Sequence, residues 1–179
     1  QGIDPASVDR SSMVRGVIIA VAAVLPVFLA SALAVQVRRD LDFGTAALGG
    51  IVATYFITSA VGSALMGQVV EWLGAGRGTA VAATVSGVSM AAAAAAQSWT
   101  QLALALALAG VANALAQPAA NLLLSKSIPV RRLGLAFGIK QSCVPAAALV
   151  GGLAVPSVAL VLGWRWAFGI ASVLTTGYA

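Results

Sequence analysis

The chain has 179 residues, of which 60% are hydrophobic and only 8% are charged, and its net charge is +5. Because a soluble domain carries roughly 25% charged residues, this composition excludes a soluble fold and makes the lipid bilayer the main solvent. One cysteine, Cys143, and no histidine exclude a disulfide framework and a Cys/His metal site. The basic residues lie in short loops, as in membrane proteins, so nucleic acid is not expected as a partner, nor is any cofactor.

Stretches without a charged residue predict the helices: 16–37, 43–70, 78–125, 141–164 and 166–179. About 20 residues suffice to cross a hydrocarbon core. The 48-residue stretch 78–125 would form a helix of roughly 72 Å, so it must contain two helices. Ser98 and Gln101 form a capping box of the type S-x-x-Q, which predicts that the second of the two begins there. We therefore expect an all-α polytopic membrane protein.

A tail of residues 1–13 is expected to precede a membrane domain over 14–179. Its transmembrane helices are expected at about 14–37, 44–70, 79–96, 100–125, 133–161 and 166–179, the last one truncated. With the N-terminus inside, six Lys and Arg residues lie in inner segments and three in outer segments, which predicts a cytoplasmic N-terminus. The four tryptophans all fall at predicted helix ends and are expected to anchor the helices at the interface: Trp72, Trp99, Trp164 and Trp166.

Small residues recur at every fourth position in two of the predicted helices, which predicts faces where helix backbones approach closely. In the second helix these residues are Gly50, Thr54, Thr58 and Gly62, and in the fifth helix they are Gly134, Gly138, Ser142 and Ala146.

Lys140 lies within the fifth predicted helix, where a charge is either functional or reaches the headgroups by snorkelling. The fourth helix carries a polar stripe spaced by four residues: Asn113, Gln117, Asn121 and Ser125. Since the two helices run in opposite directions, Gln117 and Lys140 are expected at the same depth. We interpret Asn113, Gln117, Lys140 and Gln141 as a substrate cavity for an anionic or carbonyl-bearing solute. The alternative is a set of hydrogen bonds that only joins helices.

Four prolines are expected to bend their helices, as in transporters whose bent helices line the binding site: Pro26, Pro118, Pro145 and Pro156. All five acidic residues fall in predicted loops or tails, and the chain has no Walker A motif. No pair of nucleophile and base lies within the predicted helices, so we expect a protein that is not an enzyme.

Segment 67–77 resembles the loop between helices 2 and 3 of the major facilitator superfamily, whose signature is Gly-x-x-x-Asp-Arg-x-Gly-Arg-Arg. Gly67, Glu71 and Gly74 match this pattern, whereas Trp72 replaces a basic residue and Arg77 stands in a shifted position. Segments 38–41, 131–145 and 163–168 also resemble the family. The resemblance implies the N-terminal six-helix half of a carrier that works by alternating access. It implies a gate loop at Gly67, Glu71, Gly74 and Arg77, and a cavity lined by helices 1, 2, 4 and 5.

We therefore expect a secondary transporter of a small organic solute or anion in the plasma (bacterial inner) membrane. The chain begins with Gln1 and ends 14 residues after Arg165, so we expect a fragment of a longer transporter. Its expected partners are the small-molecule solute, the lipid bilayer, and the missing C-terminal six-helix half or a second copy. The alternative is a non-transporting membrane scaffold or solute sensor, in which the accessibility of Cys143 would respond to solute without flux.

Overall fold

The computed structural model describes the backbone of residues 5–177 and the side chains of residues 13–177, and this part of the chain contains helices and no β-strand. The helices are α1 (Pro5–Ala32), α2 (Ala34–Asp40), α3 (Thr45–Ala95), α4 (Trp99–Ser127), α5 (Val130–Gln141), α6 (Cys143–Ala154), α7 (Leu160–Leu162) and α8 (Trp164–Thr176). A π-helical turn, Val155–Ala159, joins α6 to α7. The prediction of an all-α fold is confirmed.

These elements form six membrane helices, which confirms the expected number. The first consists of α1 and α2, the fourth is α4, the fifth runs from α5 to α7, and the sixth is α8. The second and third are two limbs of α3, residues 45–73 and 75–95, which meet at Gly74. A single helix of 51 residues would be about 76 Å long, far more than a hydrocarbon core of about 30 Å. The change of direction at Gly74 is therefore what makes α3 two crossings.

Gly74 makes this turn with a φ of 78°, a conformation that costs little only for glycine. The residues on either side of it are helical, including Glu71 and Arg77. The loop expected between the second and third helices is thus reduced to one residue, because glycine can reverse the chain direction without a longer linker. The proposed gate residues lie on helix ends and not in a loop.

The second and fourth membrane helices approach each other closely at Gly110. A Cβ atom on Gly110 would overlap the Thr58 hydroxyl and the Tyr55 carbonyl, and one on Gly62 would lie 2.9 Å from the Ala114 Cβ. Thr58 and Gly62 of the expected row therefore face the fourth helix and let the two backbones approach each other. Gly50, at the other end of the row, is exposed and has no described atom within 4 Å of a Cβ position.

The fifth membrane helix packs through a different row of residues from the expected one. Gly134 and Gly138 have no described neighbour within 4 Å of a Cβ position. The buried face of this helix instead carries Ala136, Lys140, Cys143, Ala147 and Gly151. A Cβ atom on Gly151 would lie 3.2 Å from the Phe28 backbone in α1. Small residues occupy both faces of this helix, so their spacing does not identify the face that is packed.

The four prolines have different effects on their helices. Pro26 and Pro118 lie inside α1 and α4, which continue through them. Pro145 follows the interruption at Ser142, and α5 ends at Gln141, the residue whose carbonyl would have received the missing Pro145 N–H. Pro156 lies within the π-helical turn. Only the fifth membrane helix is interrupted near its prolines, and it is interrupted twice.

Pro26 leaves helix 1 with a backbone acceptor that lacks its usual donor, the carbonyl of Ala22. The hydroxyl of Ser86 donates to this carbonyl at 2.7 Å, and the hydroxyl of Tyr55 donates to the next one, that of Ala23, at 2.9 Å. Both hydroxyls are buried. Side chains of the second and third membrane helices thus satisfy the backbone groups around the proline, which is a requirement in lipid.

Candidate functional site

The polar stripe of α4 lies between the second and fifth membrane helices. Ser98 caps α4, because its hydroxyl accepts the Gln101 N–H at 3.3 Å, and the Gln101 side chain accepts the Gln97 N–H at 2.7 Å. From this start, the helical repeat brings Asn113 and Gln117 to one half-buried face.

A chain of hydrogen bonds follows this face from the second helix towards the fifth. The Asn113 amide nitrogen donates to the Ser59 hydroxyl at 2.7 Å. The Gln117 amide nitrogen donates in turn to the Asn113 amide oxygen at 3.2 Å. The amide oxygen of Gln117 is left pointing towards α5. In this way Ser59, Asn113 and Gln117 form a single connected row.

Lys140 completes the row from α5. Its ammonium donates to the Gln117 oxygen at 2.6 Å and to the Asn121 oxygen at 2.9 Å, and the residue is only 7% exposed. Lys140 and Gln117 therefore lie at a common depth, as the antiparallel course of α4 and α5 predicts. The ammonium binds amides inside the protein and does not extend to the headgroups. We refer to Ser59, Asn113, Gln117, Asn121 and Lys140 as the polar row.

The polar row contains a positive charge and no negative one. Both partners of Lys140 are neutral amides, and no carboxylate among the described side chains bonds to its ammonium. An ammonium has three N–H donors, so one of them has no described acceptor. The Asn121 amide nitrogen likewise makes no hydrogen bond to a described residue, and Asn121 is exposed.

Gln141 and Ser125 were candidates that the structure leaves outside the polar row. Gln141 is exposed and its side chain bonds to no described residue. The Ser125 hydroxyl donates to the Leu122 carbonyl of its own helix at 3.1 Å. Ser59 joins the row without having been predicted, because in the sequence it is one serine among many small residues of its helix. Asn121 belonged to the predicted stripe, but its contact with Lys140 was not foreseen.

The predicted gate residues do not form an ion pair with each other in the described part of the chain. Glu71 and Arg77 are both exposed, and no hydrogen bond joins their side chains to a described residue. A Cβ position on Gly67 has no described atom within 4 Å. These residues are therefore available to a contact outside this helical bundle.

A second polar cluster lies at the opposite helix ends. Arg165 at the start of α8 forms an ion pair with Asp40 and donates to the Ala96 carbonyl at 2.9 Å. The Trp164 indole N–H also donates to Asp40, at 3.1 Å, and the Arg165 guanidinium stands 4.5 Å from the centre of the Trp164 ring. The hydrogen bond from Arg165, followed by that from Trp164, lowers the pKa of Asp40 below its ordinary value. This cluster joins the ends of the first, third and sixth membrane helices.

The structure corrects one of the predicted interfacial anchors. Trp164 is 4% exposed, because its ring packs edge-to-face on Phe168 and its N–H is bound to Asp40. Trp72, Trp99 and Trp166 are exposed, as an anchor at the interface must be. A tryptophan at a helix end can serve either purpose, and the position alone does not distinguish them.

No group of three or more His, Cys, Asp or Glu side chains comes together among the described residues. The polar arrangement within the helices is the polar row, which brings together one ammonium and three amides. The class of protein that this defines is a helical membrane protein with a polar site buried between its helices.

The comparisons with known proteins identify the family. Residues 14–179 match the model of the Major Facilitator Superfamily, so the chain belongs to this family of membrane transporters. The match covers almost the whole chain and confirms the resemblance seen in the motifs of the sequence. No curated protein matches the chain.

Proposed function

We propose that this protein is a secondary active transporter that moves a small organic solute or anion across the plasma (bacterial inner) membrane by alternating access. The observation that carries the proposal is the polar row, which crosses three membrane helices and ends at the buried Lys140 ammonium. Polar and charged residues inside the membrane are costly and mark solute pathways. In a family of transporters, such a row is the natural place for the solute.

In this proposal Lys140, Gln117 and Asn113 bind the solute directly, together with Asn121. Gln141 is exposed beside the interruption at Ser142 and contributes to the cavity wall. The cavity is completed by a C-terminal six-helix half or by a second copy of the chain. Glu71 and Arg77, which bond to no described side chain, serve as gate contacts with that other half.

The fifth membrane helix is the element best suited to move during transport. It is interrupted at Ser142, two residues after Lys140, and again at the π-helical turn Val155–Ala159. Turns of this kind often mark functional positions. A change at Ser142 would shift Lys140 relative to the amides of α4, and this would couple solute binding to a change of helix shape.

The test measures the concentrations of small solutes in cells that express the wild-type protein and compares them with those in cells that express the double variant Asn113→Leu/Lys140→Leu. We expect at least one small solute to be accumulated or depleted by the wild type and unchanged by the double variant, with equal amounts of protein in the membrane. That solute should then be transported by the purified wild-type protein in vesicles.

Ser125→Leu is the matched control, since Ser125 lies on the same stripe of α4 but bonds only to its own helix. This variant should retain transport. Full transport by the double variant would contradict the assignment of the site. A wild-type protein without flux, but with Cys143 reactivity that changes with solute, would favour a sensor derived from the same fold.

A further inference from the structure

We propose that the transported solute carries a negatively charged group, and that Lys140 together with Asn121 binds this group. The inference deepens the proposed function and rests on it, because it names the chemical class of the substrate of the same site. It is carried by three features of the polar row: the burial of the ammonium, the direction of the hydrogen bonds and the donors that remain free.

The first feature is a buried charge without a counterion. Lys140 is buried, with only 7% of its surface exposed, and both of its bonded partners are neutral. A buried charge is stable when it is paired, and amides compensate it only in part. No carboxylate among the described side chains fills this role, so within the described part of the chain the Lys140 ammonium has no counterion.

The second feature is the common direction of the hydrogen bonds. Asn113 donates to Ser59, Gln117 donates to Asn113, and Lys140 donates to Gln117. The side-chain amides of Asn113 and Gln117 therefore both turn their oxygens towards Lys140 and their nitrogens away from it. This arrangement favours the charged ammonium, because the negative ends of the amide dipoles face it. A cationic solute would meet a like charge at this position.

The third feature is a pair of free donors at one edge of the polar row. Lys140 uses two of its three N–H groups, and the Asn121 amide nitrogen has no described acceptor. Asn121 is exposed and bonds to Lys140, so it lies at the edge of the contact between α4 and α5. Two donors around one positive charge are suited to the two oxygens of a carboxylate or to those of a phosphate, since charge-assisted hydrogen bonds are the strong ones.

The test measures thermal unfolding of the purified protein through the reaction of Cys143 with a thiol-reactive dye. Cys143 suits this purpose because it is the one cysteine of the chain and is buried three residues from Lys140. The probes are lactate, benzoate and inorganic phosphate at constant ionic strength, with lactamide and benzamide as the uncharged counterparts.

We expect at least one of the three anions to raise the unfolding midpoint of the wild type, by about 5–10 °C at a concentration of 100 times its Kd. The amides should have no such effect. Lys140→Met should lose the shift, whereas Lys140→Arg, which keeps the charge, should retain it. Lys126→Met is the matched control, because Lys126 is an exposed lysine at the end of α4, outside the polar row. It should respond like the wild type.

An equal shift in the wild type and in Lys140→Met, or no shift with any of the three anions, would overturn the inference. Should Lys140→Met not fold, Asn121→Leu at the exposed edge of the row serves instead, and it should weaken the shift. The measurement requires no flux, so the two proposals fail separately. Anion binding without transport would contradict the proposed function alone, and transport without an anion effect at Lys140 would contradict this inference alone.

Discussion

Pro26 leaves a backbone carbonyl of α1 without its usual hydrogen-bond donor, and residues of two other helices bond to the carbonyls at this position. Its ring nitrogen has no hydrogen to donate, so the carbonyl of Ala22 needs another donor. Ser86 supplies this donor from the third membrane helix, and Tyr55 binds the neighbouring carbonyl from the second. A buried acceptor left without a partner costs about 1–3 kcal/mol, and we therefore regard the two hydroxyls as structural.

Removing the hydroxyl in Ser86→Ala should lower the free energy of unfolding by about 1–3 kcal/mol, because the Ala22 carbonyl then lacks a donor. In a Pro26→Ala background the helix recovers its own N–H at this position, so the same substitution should cost much less. Unfolding of the four proteins in the double-mutant cycle measures the difference. An equal cost in both backgrounds would show that Ser86 acts independently of the proline.

The sequence predicts such single-residue features only in part. A proline within an apolar stretch is visible, but its partners stand 64 and 32 residues from the carbonyls they bind, and nothing local identifies them. The contact between Lys140 and Gln117 can be predicted from the sequence, because the numbers of residues in two antiparallel helices fix the depth of each side chain. The contact of Ser59 with Asn113 cannot be predicted in this way, since it depends on how the second helix packs on α4.

At the scale of the helices, Gly110 sets the distance between the second and fourth membrane helices. A Cβ atom there would overlap the Thr58 hydroxyl and the Tyr55 carbonyl, and the latter belongs to the backbone and cannot turn away. Gly110→Ala should therefore destabilise the protein by about 1–3 kcal/mol, the usual cost of overpacking. Gly110 also lies three residues before Asn113, so separation of the two helices should break the bond to Ser59 and reduce transport.

Gly138→Ala is the matched control for this substitution. Gly138 is likewise inside a membrane helix, but no described atom lies within 4 Å of its Cβ position. Alanine is favoured over glycine in helices, so this variant should be at least as stable as the wild type. Thermal unfolding of both variants in detergent provides the comparison. A Gly110→Ala protein as stable as Gly138→Ala would show that the close approach of the two helices is not required.

The rows of small residues also show which features of helix packing the sequence does not predict. The second and fifth helices both carry small residues at every fourth position, and both rows were predicted to pack. In the second helix, Thr58 and Gly62 pack on α4. In the fifth helix the predicted glycines do not pack, because a second small row, which includes Ala147 and Gly151, lies on its other side. Which row is buried depends on where α1 lies, and this is a property of the whole bundle.

At the scale of the whole molecule, polar contacts divide the six helices into two sets of three. The polar row joins the second, fourth and fifth helices through Ser59, Gln117 and Lys140. The cluster of Asp40 and Arg165 joins the first, third and sixth. The Tyr55 hydroxyl, which binds the Ala23 carbonyl near Pro26, connects the second helix of one set to the first helix of the other. The sequence predicted the number of helices, because uncharged stretches follow from the cost of a charge in lipid, but these groupings require contacts between distant residues.

The orientation of the bundle in the membrane is the remaining property of the whole molecule that the sequence predicts. Six basic residues lie in segments on the side of the N-terminus and three on the other side, so the N-terminus should face the cytoplasm. Gln97, between the third and fourth helices, should then be outside. Val130, at the start of α5 and 86% exposed, should be inside.

Single cysteines at these two positions test this orientation. In a Cys143→Ala background, Gln97→Cys should react with a membrane-impermeant maleimide in intact cells, because it is exposed to the outer solution. Val130→Cys should react only after the cells are permeabilised. The Cys143→Ala protein without a new cysteine is the control for background labelling. The opposite pattern would place the N-terminus outside and put the polar row, with Lys140, in the outer half of the membrane. The solute would then meet the ammonium first from the external side.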